Sequence, residues 1–512
     1  MHKLKVRKPL LAAMGAIAAI SAAPGAVFAD NASDIQALKD QVKMMQQKID
    51  ALSTPQTTGT VAEPAKGNAG TAAPDERKRK DTPALTYAGI TLYGTVDVGV
   101  AYMTHGAPLS QTWGPGLPYF IQNFSNHSLV SAAPNGLSQS KVGLSGVEPL
   151  GFGDFTGVFR AETGFQPTSG RLTDGPGSLV ADNGKAAPVK ISAGDSSRAG
   201  QAFNGPLYAG VSSKTFGTLT FGRQQTLISD ALSKYDPQLQ SQMFSPISLQ
   251  GTAGGFGDTQ DRIFDNSIKY VLQVGPGRFQ IIHQFGNDGF IPEQSNEVSI
   301  GADIAGLSVD GIYGVVHGAV AAASLSAPQL ATAGVSPNSL SATISDNTGY
   351  AGLATYNLKE LVPELPLKVF AGWERIKFNN PEHSIPAGTV DIGGYVLSFV
   401  NPQSGPTSTF NIQKILQIWW AGARYNPLPN LDIAMAYYQY NQKSFAANGC
   451  TNASASTCAG ELHTGSLVID YHWTKRFDTY AGVQYSLIQN GLANGYLFTN
   501  NWTPGMGVRF NF

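Results

Sequence analysis

Between Leu85 and Phe512 the chain consists of short stretches in which apolar and polar residues alternate, joined by links that are long and short in strict turn. Period-2 alternation marks strands with one greasy face and one wet face. Sixteen such stretches can be counted, from ITLYGTVDVGVAYM at its start to GMGVRFNF at its end. The links at 104–139, 166–205, 227–265, 287–295, 320–346, 379–411, 442–461 and 491–503 are long. Between them lie the turns EPLGFGD, TFG, GPGR, AGL, KELVPELP, NPLP and KRFD. A meander sorted in this way has one rim of tight turns and one rim of long loops, as barrels of the bacterial outer membrane do. A soluble exported β-protein has no reason to sort its links, and an even count lets an antiparallel sheet close on itself. The expected fold is therefore all-β, a 16-stranded antiparallel transmembrane β-barrel over 85–512, or eighteen strands if a long link hides a weak hairpin.

The two faces of these stretches support the same reading. In the first, Ile90, Leu92, Val96, Val98, Val100 and Tyr102 share one face, and Thr91, Tyr93, Thr95, Asp97 and Gly99 share the other. Trp373, Trp419, Tyr425, Tyr437, Tyr471 and Tyr485 fall near strand ends or on apolar faces, as aromatic girdles do. The opposite faces collect Asp97, Lys141, Arg160, Glu162, Lys269, Asp303, Asp310, Glu374, Arg424 and Asp470. A dry core would not take up so many ions, so the barrel interior is expected to be wet. In the last stretch Met506, Val508, Phe510 and Phe512 alternate with Gly507, Arg509 and Asn511, which keeps the pattern intact to the final residue, where most chains fray.

The N-terminal segment differs in character. MHKLKVRKP is basic, LLAAMGAIAAI is apolar, and AVFA places small residues before Asp30, the pattern of a signal peptide over 1–29. Over 30–53, Ile35, Leu38, Val42, Met45, Ile49 and Leu52 follow the 3-4 spacing of a coiled-coil seam, and Ser33 with Gln36 forms a capping box. Fewer than three heptads do not hold alone, so the expected short coiled-coil helix needs an oligomer to bring its copies together. Residues 54–84 lack periodicity and are rich in Pro, Gly, Ala and Thr, which is the composition of a flexible linker. Both ends of the barrel fall on the short-turn rim, which would put the coiled coil in the periplasm.

Composition excludes several function classes. Lys+Arg 34 against Asp+Glu 35 leaves no basic excess for nucleic acid. No H-E-x-x-H, G-x-S-x-G or P-loop sequence occurs, and His472 beside Asp470 reads as lumen lining rather than half a triad. Neither an enzyme nor a cofactor is expected. Cys450 and Cys458, the two cysteines of an exported chain, are expected to form a disulfide that pins a loop.

TLYGTVDVGVAY, SKVGLSGVEPLGFG, FGTLTFGRQQT, DNSIKY and the terminal aromatic, taken in order, resemble the Gram-negative general porins over roughly 88–512. The resemblance implies passive diffusion of small hydrophilic solutes and ions across the outer membrane, a homotrimer, and a third long loop, about 227–265, folded into the pore. It implies that Phe510 and Phe512 belong to the signal read by the barrel-assembly machinery. It also implies basic wall residues at a constriction: Lys141, Arg223 and Arg262 match family positions, and Arg160 joins them by alternation. The family's cluster of loop acids is not matched here; Asp230, Asp236, Asp258 and Asp261 are scattered, and of these Asp230 and Asp236 are expected at the constriction. A basic wall facing few acids leads to an expected mild anion preference. A second reading makes the barrel only an anchor or adhesin in outer-membrane lipid, with 30–84, including ERKRK, gripping the cell wall.

Overall fold

The computed structural model describes residues 85–105, 128–168, 170, 172, 202–248, 256–257, 262–286, 294–324, 340–379, 389–392, 395–400, 413–444, 450–452, 458–493 and 498–512. The expected signal peptide, coiled-coil seam and linker lie outside these residues, as do Asp258 and Asp261.

Sixteen strands form one closed antiparallel wall. They are β1 (Ile90–Met103), β2 (Lys141–Pro149), β3 (Thr156–Gly164), β4 (Leu207–Ser213), β5 (Gly217–Gln225), β6 (Ile263–Val274), β7 (Gly277–Gln284) and β8 (Ser295–Ile304). The remaining strands are β9 (Leu307–Ser324), β10 (Leu340–Asn357), β11 (Leu367–Asn379), β12 (Lys414–Leu428), β13 (Leu431–Gln442), β14 (Gly460–His472), β15 (Phe477–Asn490) and β16 (Asn500–Asn511). Each pairs with its sequence neighbours, and β1 pairs with both β2 and β16. Four short strands, Leu85–Tyr87, Leu129–Ala132, Thr389–Ile392 and Tyr395–Val400, attach to the ring without widening it.

The seam explains the unfrayed C-terminus. Thr95 through Ala101 pair with Asn511 through Gly505, and Phe512 and Gly94 exchange backbone hydrogen bonds of 2.9 and 3.1 Å. Closing the ring in this way removes both sheet edges. Met506, Val508 and Phe510 are exposed on the outer face, and the Phe512 ring covers Gly94 so closely that a Cβ there would meet it at 2.3 Å.

One expectation shifts. The link placed at 320–346 shortens to 325–339, because β9 and β10 run 18 residues each. Their pairing slips between Val316 and Ala319, where Gly318 has a φ of 64°. A bulge followed by the small-residue run AVAAAS breaks the alternation while the backbone ladder continues.

The third long loop turns into the barrel. Its helix α1 (Leu227–Tyr235) is capped by the Thr226 hydroxyl, which accepts from Ser229 N at 3.2 Å. Glu297 of β8 also accepts from Leu227 N at 2.6 Å and Ile228 N at 3.1 Å, so a wall carboxylate holds the positive end of the helix. Leu227, Ile228, Leu232 and Tyr235 are buried against Ile312, Leu353, Ile376, Ile418 and Trp420 of the wall. Burying each such side chain contributes about 1.5–3 kcal/mol, which fastens the helix to one side of the lumen. Glycines let the loop approach closely: a Cβ on Gly349 would meet the Phe256 ring at 2.1 Å, and one on Gly422 would meet Pro237 at 2.5 Å.

Candidate functional site

A cavity of about 360 Å³ opens inside the barrel between the third loop and the wall strands. The wall contributes Lys141 and Glu162 at the ends of β2 and β3, Arg160 on β3, Lys368 on β11, Arg424 on β12, Asp432 on β13, Asp470 on β14 and Arg509 on β16. Arg262, just before β6, and Asp230 on α1 complete the charged lining. Six basic side chains thus meet four carboxylates.

The pairing is uneven around the lining. Glu162 is shared by Arg160, at 2.8 Å, and Lys141, at 3.2 Å, and it accepts a further bond from the Tyr93 hydroxyl at 3.1 Å. The Arg160 guanidinium lies 5.3 Å from the centre of the Tyr93 ring, which fixes it in place. On the other flank Arg424 is paired with Asp432, and Arg509 lies between Asp470, at 3.0 Å, and Asp478. Lys368 extends over the Phe370 ring at 4.9 Å. Asp230 forms an ion pair with Lys269 of β6.

Two residues expected at the narrowing do not line the cavity. Arg223 pairs with Leu207 of β4 on one side and on the other faces a bulge of β6, where Gly222 pairs with Ser267 and Gln224 with Phe264. Its guanidinium is bound to Asp265 at 2.5 Å and to the carbonyls of Asn204 and Gly205 at 2.8 and 3.2 Å, so it ties wall and loop together. Asp236 is fully buried behind the loop. It accepts from Gln238 N at 3.1 Å, Gln240 N at 2.8 Å and the Tyr438 hydroxyl at 2.5 Å. Burial pushes its carboxyl above the ordinary aspartate range, against the opposing pull of these donors. Asp236 is the pin of a turn, and the acids facing the basic flank stand on the far wall instead.

Other contacts fix the loop across the lumen. Trp420 Nε1 donates to Tyr235 O at 3.0 Å, Arg424 to Pro237 O at 3.0 Å, and Gln238 to the Ser466 hydroxyl at 3.0 Å. The end of the first long link is also drawn inward. Asp97 accepts from Leu137 N, Ser138 N and the Tyr480 hydroxyl at 2.9, 2.8 and 2.6 Å, and Met243 N donates to Gly136 O at 2.9 Å. The gap is thus bordered by two anchored segments and a polar wall. Cys450 and Cys458 are joined in a disulfide in the seventh long link, Cα atoms 5.5 Å apart, away from this lining.

Lys368, Asp432 and Arg509 were not among the residues expected at the site. Arg509 could have been read from GMGVRFNF, where alternation turns it inward opposite Asp97. Asp432 follows a tight turn and Lys368 opens a strand, positions at which period-2 phase is weakly set.

A closed sixteen-stranded wall, apolar outside and charged within, with a loop folded into its lumen, defines an outer-membrane barrel of the channel type. The chain belongs to the Gram-negative porin family, whose model matches residues 16–490, and this places it in the outer membrane. It is 29% identical over 159 residues to an outer membrane porin protein of Bordetella pertussis, a stretch covering 30% of this chain and 32% of that relative. The match therefore spans about a third of the relative's length. Among solved structures, an anion-selective porin from Comamonas acidovorans has a similar fold, with a TM-score of 0.53 at 16% identity, covering 83% of this chain and 99% of that one.

Proposed function

We propose that the protein forms a water-filled channel for passive diffusion of small hydrophilic solutes and ions, with a mild preference for anions. The observation that carries this reading is the cavity lining: six basic side chains against four carboxylates, with Lys141 and Arg160 sharing Glu162. Inside a low-dielectric wall, a surplus of fixed positive charge raises the local concentration of anions and depletes cations. The anion-selective porin from Comamonas acidovorans, whose fold is similar, points the same way. No bond is made or broken in this reading, and the anchored loop acts by setting the width of the gap.

The channel is proposed to work as a homotrimer, with Phe510 and Phe512 on the outer face of the seam presented to the barrel-assembly machinery. Purified protein added to a planar bilayer should give stepwise conductance increments, grouped in threes. Liposomes carrying it should swell in isotonic solutions of small neutral sugars. A folded barrel that gives neither current nor swelling would overturn the diffusion reading.

A further inference from the structure

The acid flank of the lumen holds more ligating atoms than its cations use. Asp470 and His472 stand two residues apart on β14 and so share its inward face, and Asp478 of β15 is the ladder partner of His472. Three side chains able to hold a metal thus converge at one corner of a rigid strand pair. One ligand atom from each lies within 4.8 Å of the other two. Donors around a tetrahedral zinc ion stand roughly 3.5 Å apart, so side-chain rotation is enough to close this set on an ion.

Arg509 occupies only one oxygen of each carboxylate. It donates to Asp470 Oδ2 at 3.0 Å and, through Nε, to Asp478 Oδ2 at 3.0 Å. Asp470 Oδ1 and Asp478 Oδ1 are buried and accept no hydrogen bond, and His472 Nε2 is likewise buried without a partner. The two aspartates are 5% and 3% exposed, a depth at which polar atoms ordinarily have a partner. His472 Nδ1 lies 3.5 Å from Asp478 Oδ2, a contact that favours the proton on Nδ1 and leaves the Nε2 lone pair for a ligand. The neighbouring strands add to the demand for a cation. Asp432 is the ladder partner of Asp470, and Asp97 that of Arg509. At this end of β12–β16 and β1, four carboxylates therefore stand against the two guanidinium groups of Arg424 and Arg509. Asp470, His472 and Arg509 also border the cavity, which gives an ion an aqueous route from the lumen.

We propose that Asp470, His472 and Asp478 bind one divalent transition-metal ion of the zinc class in the lumen wall. One imidazole with two carboxylates suits such an ion better than magnesium or calcium, which favour oxygen ligands throughout. The ion balances the two surplus carboxylates. It also adds positive charge to the flank where acids outnumber cations, so its arrival strengthens the anion preference of the gap. Binding itself does not depend on the channel reading, whereas its effect on selectivity rests on that reading.

The test is equilibrium dialysis of the intact protein in a non-ionic detergent against zinc chloride, with bound metal counted by mass spectrometry. One zinc per chain is expected, retained in excess magnesium. His472→Gln leaves the Arg509 ion pairs in place and should weaken binding by at least roughly tenfold, the loss that removing even an outer partner of a metal ligand causes. His463→Gln is the control, because His463 stands beside Glu461 elsewhere on β14 and should leave the affinity unchanged. Absence of a stoichiometric zinc, displacement by magnesium, or a loss that follows His463 instead of His472 would overturn the proposal. Heat-dependent gel mobility shows that each variant is folded. In a planar bilayer, zinc should move the reversal potential further to the anion side in the unmodified protein and not in His472→Gln. Bound zinc that leaves the potential unchanged would overturn the link to selectivity.

Discussion

The two flanks of the lumen use similar residues to opposite effect. On β2 and β3, two cations share one carboxylate, so positive charge is in surplus at Lys141 and Arg160. On β12–β16, Arg424 is matched by Asp432, and Arg509 is outnumbered by Asp470 and Asp478. A solute in the gap therefore meets a field directed from one flank to the other, with the surplus on the side where the pairing is incomplete. Counting charges along the sequence does not reveal this, since the whole chain is nearly neutral. What matters is how many cations each carboxylate serves.

The largest effect is expected at Arg509. Arg509→Ala leaves Asp470 and Asp478 buried without their cation, at a cost of roughly 3–5 kcal/mol, and should lower the unfolding midpoint in denaturant more than any other lumen change discussed here. Channels that still form should shift toward cations, and an unchanged midpoint would show that the second flank is not held by this pairing. Next in size is Glu162→Gln, which releases Lys141 and Arg160 together. It should strengthen anion preference in a salt gradient while costing about 1–3 kcal/mol in stability from the lost charged hydrogen bonds. Lys141→Gln with Arg160→Gln removes the surplus itself, and the anion-to-cation permeability ratio should fall to about one with little loss of stability. Arg223→Gln should have the smallest effect on selectivity, because its guanidinium serves Asp265 and two carbonyls rather than the gap. A reversal potential that moved with Arg223 would put this residue back at the constriction.

Much of the wall was legible because a membrane-spanning strand must keep its phase. Ile90 to Tyr102 alternate as read, and the order of links fixed both rims. The lumen was legible only where the phase held. Lys141 and Arg262 are placed by family position, Arg160 by alternation and Asp230 by its place in the loop that the resemblance folds inward, and all four line the cavity. Arg223, placed by family position, is held away from the cavity by Asp265, which stands in a bulge of β6 between Phe264 and Ser267, and a one-residue insertion leaves no trace in composition. Asp236 was misplaced for another reason. YDPQ is a turn signal, and its carboxylate is consumed by local amides and by Tyr438, a residue 202 positions away that no local pattern could supply. On the far wall Asp470 reads as inward-facing, but its pairing with Arg509 spans β14 to β16 across β15, and Asp432 meets Arg424 across the hairpin of β12 and β13.

An excess of positive charge in the gap is read most directly from the reversal potential of the unmodified protein in a planar bilayer under a tenfold potassium chloride gradient. The potential should lie on the anion side of zero and move to zero when Lys141 and Arg160 are both replaced by glutamine. A potential on the cation side, or one that ignores that replacement, would contradict such an excess.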